Sequence, residues 1–217
     1  LDIEFRKEIP AFIIDNVFSD EINGAIRKEI LDNENNFEPA IIGGGKCENH
    51  RSNDVWYVET DQQFPNRCAS TIMSAMDRLY KSNACFALAL VSSGIYPFTE
   101  IKETNYGETQ VSVYNCGDFY NWHIDHLTEP NSKRLISTVY YAFDGDTVSG
   151  GELELSSSLM GQRTVIDDKA KTWKIEPKNN RMIVFTSYRP HRAAAVSIKG
   201  DEFKDKRFAV VSWIGIT

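Results

Sequence analysis

Hydrophobic positions are spaced in two ways along this chain. Near the start, Ala11 to Val17 is a short apolar run, followed by Ser19, Asp20 and Glu21: a hydroxyl that can cap a helix, then acids in its first turn. Ile22, Ile26 and Ile30 then recur every four residues, so one stripe of a helix is apolar. A second helix is predicted to start near Pro65, with Cys68, Ile72, Ala75, Met76 and Leu79 on one face. From about residue 84 the helical period fades, and β-branched and aromatic residues alternate with polar ones over short runs. The predicted strands are Gln110–Tyr114, Tyr120–Ile124, Leu135–Phe143, Glu152–Ser156, Thr172–Ile175, Arg181–Thr186 and Phe208–Ile214. Turn sequences separate them, among them Asn115-Cys116-Gly117-Asp118, Asp144-Gly145-Asp146, Gly150-Gly151 and Lys199-Gly200-Asp201. Short strands with no helix between them predict an antiparallel sandwich or barrel rather than a parallel α/β sheet.

Composition narrows the classes of partner. With 217 residues, 41% hydrophobic and 25% charged, the chain can bury a core and lacks the profile of disorder. Its net charge of -7 has the wrong sign for neutralising phosphates, so no nucleic-acid partner is expected. The most apolar stretch, Cys85 to Val91, is far shorter than the roughly 20 residues of a membrane span, and no secretion signal is visible, so no membrane partner is expected. Four scattered cysteines, Cys47, Cys68, Cys85 and Cys116, form no C-x-x-C pair and fit free thiols in a reducing, cytoplasmic setting. With no linker composition or internal repeat, residues 1–217 read as a single domain. In that reading 1–83 form a helical support and substrate-side region, and 84–217 form the core. The loop Gly43-Gly44-Gly45-Lys46 is not a phosphate loop, because Ala40 and Cys47 occupy the places of the first glycine and the hydroxyl residue.

Only four histidines are present: His50, His123, His126 and His191. In a strand, His123 and Asp125 share a face, so an imidazole nitrogen and a carboxylate oxygen can converge on one point. A second histidine would complete a facial triad with open positions, an arrangement suited to non-heme iron(II). His191 follows a predicted strand and sits in Tyr188-Arg189-Pro190-His191-Arg192, a loop position where a functional side chain is natural. Taken alone, the pair is equally an ordinary hydrogen-bonded couple and His191 a surface residue.

The region from about Glu100 to Ile214 resembles the iron(II)- and 2-oxoglutarate-dependent dioxygenases, in the branch that includes the prolyl 4-hydroxylases. Val111-Ser112-Val113-Tyr114 and Gly117-Asp118-Phe119-Tyr120 lead into the His123 and Asp125 pair. Ser137-Thr138-Val139-Tyr140-Tyr141, Gly150-Gly151-Glu152-Leu153, Asn180-Arg181, His191 and Arg207-Phe208-Ala209-Val210-Val211-Ser212-Trp213 follow in the family's order.

The resemblance implies a double-stranded β-helix, a jelly-roll core supported by N-terminal helices. It implies that His123, Asp125 and His191 bind Fe(II), that Arg207 anchors the cosubstrate 2-oxoglutarate, and that Tyr141 and Tyr114 assist. The sixteen positions from His191 to Arg207 exceed the family's usual interval and read as a hairpin lengthened by a polar insertion, with Lys199 as the competing anchor. The implied reaction takes O2 and 2-oxoglutarate, hydroxylates an unactivated C–H bond and releases succinate and CO2, with ascorbate as reductant. A prolyl residue of a peptide or protein is the expected substrate, with free amino acids and other peptide residues as alternatives. Arg51 and Trp56 are the expected substrate contacts, and His126 is expected behind the ligands or at the surface. Two other readings use the same three ligands: a zinc hydrolase, and a jelly-roll binding module without turnover.

Overall fold

A computed structural model of the chain describes residues 2–5, 11–41, 49–58, 70–81, 106–126, 134–157 and 169–215. Among the described residues, fourteen strands and two α-helices follow one another as β1 (Asp2–Phe5), β2 (Ala11–Asp15), α1 (Asp20–Asp32), β3 (Glu38–Pro39), β4 (Asp54–Tyr57), α2 (Thr71–Lys81), β5 (Tyr106–Tyr114), β6 (Tyr120–His123), β7 (Arg134–Tyr141), β8 (Val148–Gly150), β9 (Leu153–Ser156), β10 (Thr172–Ile175), β11 (Arg181–Thr186), β12 (His191–Ala193), β13 (Val196–Ile198) and β14 (Arg207–Gly215). A large sheet has the order β1-β2-β11-β7-β14-β5-β4-β3, a smaller one β10-β9-β12-β6, and β13 pairs with β8. All pairings are antiparallel, the arrangement of the expected jelly roll.

The central strands of the large sheet are buried on both faces, which is why β14 runs almost continuously apolar from Phe208 to Val211. Helices cover its outer face. Ser19 Oγ accepts from the Ile22 N–H and starts α1, whose Ile26 and Ile30 are fully buried. Full burial of an isoleucine stabilises by about 1.5–3 kcal/mol. The Tyr140 hydroxyl reaches out from β7 to donate to Asn23 Oδ1 at 2.6 Å, fixing α1 against that strand. Because side chains alternate, Ser137, Val139 and Tyr141 of β7 turn the other way, into the cavity between the sheets.

Several expectations need correction. The second helix begins at Thr71 rather than near Pro65; Pro65 and Cys68 lie outside the described residues, as do Cys47, Cys85, the apolar stretch to Val91 and the Gly43–Gly45 loop. Ser70 supplies the start signal. Its Oγ accepts from Met73 N–H at 3.1 Å and donates to Glu29 Oε1 at 2.6 Å, while Glu29 Oε2 accepts from Ile72 N–H at 3.0 Å. An α1 carboxylate therefore faces the positive end of α2. The N-terminal region is also more than helical support, since β1 to β4 extend the large sheet on both sides. The polar insertion before β14 is partly apolar in its packing: Phe203, in a 3-10 turn, contacts Phe37 and Phe208 at ring separations of 5.6 and 5.1 Å.

Candidate active site

Antiparallel pairing of β6 with β12 sets His123 directly opposite His191. His191 thus opens a strand, where the sequence had suggested a loop, because β12 is captured between β9 and β6. Asp125 lies just past β6, where its own N–H and that of His126 both donate to the Ser187 carbonyl at 3.0 Å. Its Oδ1 is 3.6 Å from His123 Nε2 and its Oδ2 is 3.4 Å from His191 Nε2; the three ligand atoms fall within 4.8 Å of one another.

Hydrogen bonds behind the ligands prepare them. His123 Nδ1 lies 2.7 Å from the Asn121 carbonyl and His191 Nδ1 lies 2.8 Å from the Arg189 carbonyl. A carbonyl can only accept, so each Nδ1 carries a proton and each ring is turned with Nε2 toward Asp125. Burial holds His123 well below its ordinary value, and His191 beside it adds to the effect, so the ring is neutral at pH 7. Burial alone would raise the Asp125 carboxyl, but His191, His123 and the Ser137 hydroxyl together hold it far below the carboxylate range. Ser137 Oγ donates to Asp125 Oδ2 at 2.6 Å and contacts Ser187 Oγ at 2.9 Å. Tyr120 stacks on His123 at 3.6 Å, and Phe185 meets His191 edge-on at 4.7 Å.

The ligands open into a cavity of about 250 Å3 that also contains Arg207. Arg207 is 2% exposed. Its guanidinium carbon lies 3.9 Å from the centre of the Tyr114 ring and 5.4 Å from that of Tyr141. Nη1 donates a long bond to the Gly151 carbonyl at 3.4 Å, and Nε has no partner among the described residues. Gly151 has φ of +67°, and a Cβ there would lie 2.9 Å from Val196 Cγ2, so glycine permits both this backbone turn and the close approach of Val196. A set of two imidazoles and one carboxylate fits a divalent iron, and a buried guanidinium with an unmet donor fits a carboxylate of a cosubstrate bound to it.

Residues 109–215, which hold all three ligands and Arg207, match the 2OG-Fe(II) oxygenase superfamily. This segment of the chain belongs to that superfamily. It is similar to an uncharacterized PKHD-type hydroxylase from Synechocystis, at 35% identity over 108 residues. That match covers 49% of this chain but only 35% of the relative, so the chain spans about a third of that protein. Two solved structures share the fold. A prolyl-4-hydroxylase from Pseudomonas putida has a TM-score of 0.62 and 17% identity, covering 95% of this chain and 92% of that one. A prolyl hydroxylase from Trichoplax adhaerens, solved with a hypoxia inducible factor peptide fragment, has a TM-score of 0.64 and 18% identity, covering 95% and 83%.

Within the oxygenase site, the structure sorts the remaining sequence expectations. Tyr114 and Tyr141 flank Arg207, and burial raises the Tyr141 hydroxyl pKa. Lys199 is exposed beside β8 and does not line the cavity. Arg51 does line it; its Nε donates to Asn53 Oδ1 at 2.6 Å and its guanidinium lies 4.4 Å over Tyr120. Trp56 does not: it is 1% exposed and packs edge-on against Phe37 at 6.0 Å on the other face of β4. Strand alternation gives the cavity side to Tyr57 instead. His126 stacks on Tyr188 at 3.8 Å and bonds the Arg134 carbonyl through Nδ1 at 2.9 Å, outside the cavity lining. Sequence reasoning missed Ser137, Tyr120, Arg134 and Trp213. Of these Ser137 carried a signal, a hydroxyl on the strand face shared by Val139 and Tyr141.

Proposed function

We propose that the protein is an iron(II)- and 2-oxoglutarate-dependent hydroxylase that acts on a prolyl residue of a peptide or protein, with residues 1–217 working as one domain. The observation that carries this reading is the triad and an unsatisfied buried arginine opening into one cavity. His123, Asp125 and His191 would hold the iron, and Arg207 would grip the far carboxylate of 2-oxoglutarate with parallel charge-assisted bonds. With those groups bound, the site supplies oxidation of a C–H bond by O2, coupled to conversion of 2-oxoglutarate into succinate and CO2. The chain's own part is to turn both Nε2 atoms toward the iron position through the bonds at Nδ1, to fix Asp125 through Ser137, and to shield the ligands from bulk water; Asp125 and His191 are 7% and 5% exposed.

The prolyl assignment draws on the shared fold with prolyl hydroxylases and on a mouth suited to a peptide. Arg51, Tyr57, Tyr120, Arg134 and Trp213 line the cavity with aromatic and cationic surface. Burial lifts Tyr120 to about 12, so its ring stays uncharged against a substrate. A zinc hydrolase is disfavoured because, among the described residues lining the cavity, the one carboxylate is Asp125, a ligand itself, and no second acid is placed to act as base.

Succinate release from 2-oxoglutarate, measured with Fe(II) in the absence and presence of a proline-containing peptide, tests both parts. Turnover that needs Fe(II), rises with the peptide and disappears in His123→Ala is the expected result, together with one oxygen added to proline by mass spectrometry. Hydrolytic activity with zinc and no cosubstrate would overturn the oxygenase reading; succinate without proline oxidation in any peptide would overturn the prolyl one.

A further inference from the structure

One wall of the cavity holds a polar pair that neither the metal ligands nor Arg207 use. Gln110 and Ser112 project into it from β5, on the face that carries Tyr114, and are 2% and 1% exposed. Gln110 Nε2 donates to Ser112 Oγ at 2.8 Å, and among the described residues the Gln110 Oε1 has no partner. Turning the amide over would exchange donor and acceptor but still leave one end free. That free end is open to the cavity, where a ligand can complete it.

Position decides which ligand that is. Along β14, Arg207 is opposite Tyr114, Ala209 opposite Ser112 and Val211 opposite Gln110. Gln110 therefore lies about 13 Å along the sheet from the arginine row at the usual strand rise. A five-carbon dicarboxylate spans roughly 6 Å, so one gripped at Arg207 ends short of Gln110. On the other side, Gln110 is opposite Tyr57, which is 37% exposed. Gln110 thus stands between the cosubstrate and the open mouth. It is also uncharged, whereas the cations Arg51 and Arg134 lie elsewhere on the lining, so its complement is a neutral group with both donor and acceptor.

We propose that Gln110, steadied by Ser112, is a specificity-determining residue that hydrogen-bonds a backbone amide of a peptide substrate next to the carbon to be hydroxylated. The proposal rests on the oxygenase reading above.

Its test uses the full chain loaded with Mn(II) and 2-oxoglutarate under anaerobic conditions. The probes are end-blocked tripeptides with a central proline and the same peptides with each backbone N–H methylated in turn, with binding followed by calorimetry. Gln110→Met is expected to weaken the parent peptide about tenfold, the value of one buried hydrogen bond, while 2-oxoglutarate affinity changes less than twofold. One N-methylated peptide should bind the unaltered protein as weakly as it binds the variant. Ser112→Ala, a milder change that keeps Gln110, should show the same pattern with a loss of about threefold. Unchanged peptide binding in both variants, or a loss confined to 2-oxoglutarate, would overturn the assignment. So would a protein that binds Mn(II) and 2-oxoglutarate but no peptide, and the oxygenase reading would then survive. If Mn(II) and 2-oxoglutarate fail to bind as well, that reading falls first.

Discussion

The two sheets that enclose the cavity differ in construction. In the large sheet, β5 and β14 are nine-residue strands paired along their whole length, with β7 and β11 continuing the layer. In the small sheet the strands have three or four residues, and the pairing of β12 with β6 shifts between His191 and Ala193. Arg207 belongs to the large sheet, and the histidine ligands belong to the small one. The proposed anchor for the cosubstrate therefore sits on a long, fully paired ladder, whereas the imidazoles sit on short strands, where an ion can cross-link what the backbone holds loosely. A side-chain hydrogen bond ties the large sheet to the ligands at the centre: Ser137 of β7 holds Asp125.

The strongest way to break this division is to remove a ligand from the small sheet. His123→Ala should lower iron-dependent succinate formation by more than about 100-fold, beyond the range for groups behind a ligand. Hydrogen exchange should still find β5 and β14 protected. Removing the anchor from the large sheet should do the reverse. Arg207→Ala should raise the 2-oxoglutarate concentration needed for half-maximal turnover by about 30- to 1,000-fold, the loss of roughly 2–4 kcal/mol of charge-assisted bonding. Metal affinity by titration should stay within a few fold, and Arg207→Lys should recover only part of the loss, since an ammonium cannot bind bidentately.

Cutting the link between the layers comes next. Ser137→Ala should weaken metal binding about 10- to 100-fold. Adding Mn(II) at about 100 times its dissociation constant should stabilise the protein by about 2.7 kcal/mol, with new exchange protection concentrated in β6 and β12. The smallest expected effect lies at the far edge of the large sheet, where Arg181 grips Asp15 through Nε and Nη2 at 2.6 and 2.7 Å. The Arg181 hydrogen bond holds the Asp15 carboxyl below its ordinary value of 3.8, against the opposing effect of burial. That lowered value means the contribution is present above pH 3.8 and is lost as pH falls below it. Asp15→Asn should therefore cost less than about 1 kcal/mol near pH 7, because the aspartate is partly exposed, and the difference in melting temperature should close on acidification.

How much of this was legible in the residues follows from the range of the forces involved. The α1 start at Ser19, the strands Thr172–Ile175 and Arg181–Thr186, and the His123, Asp125 and His191 set depend on local spacing or on few alternatives, and they could be read directly. The α2 start could not, because Ser70 is capped jointly with Glu29, 41 residues earlier. Trp56 was assigned to the mouth by resemblance, but strand parity decides which of two neighbouring aromatics faces the cavity, and β4 gives that side to Tyr57. His191 looked like a loop residue because a three-residue strand leaves no period to detect. Arg207, and not Lys199, lies in the cavity because Arg207 opens the apolar strand β14, which carries it into the interior.

A crystal structure of the full chain with Mn(II) in place of iron and 2-oxoglutarate bound, grown without oxygen, would test the centre of this account most directly. The account predicts one ion about 2.0–2.2 Å from Nε2 of His123, Nε2 of His191 and a carboxylate oxygen of Asp125. It also predicts the far end of 2-oxoglutarate within hydrogen-bond distance of the Arg207 guanidinium. An ion held elsewhere, or the cosubstrate's outer carboxylate resting on Lys199, would contradict it.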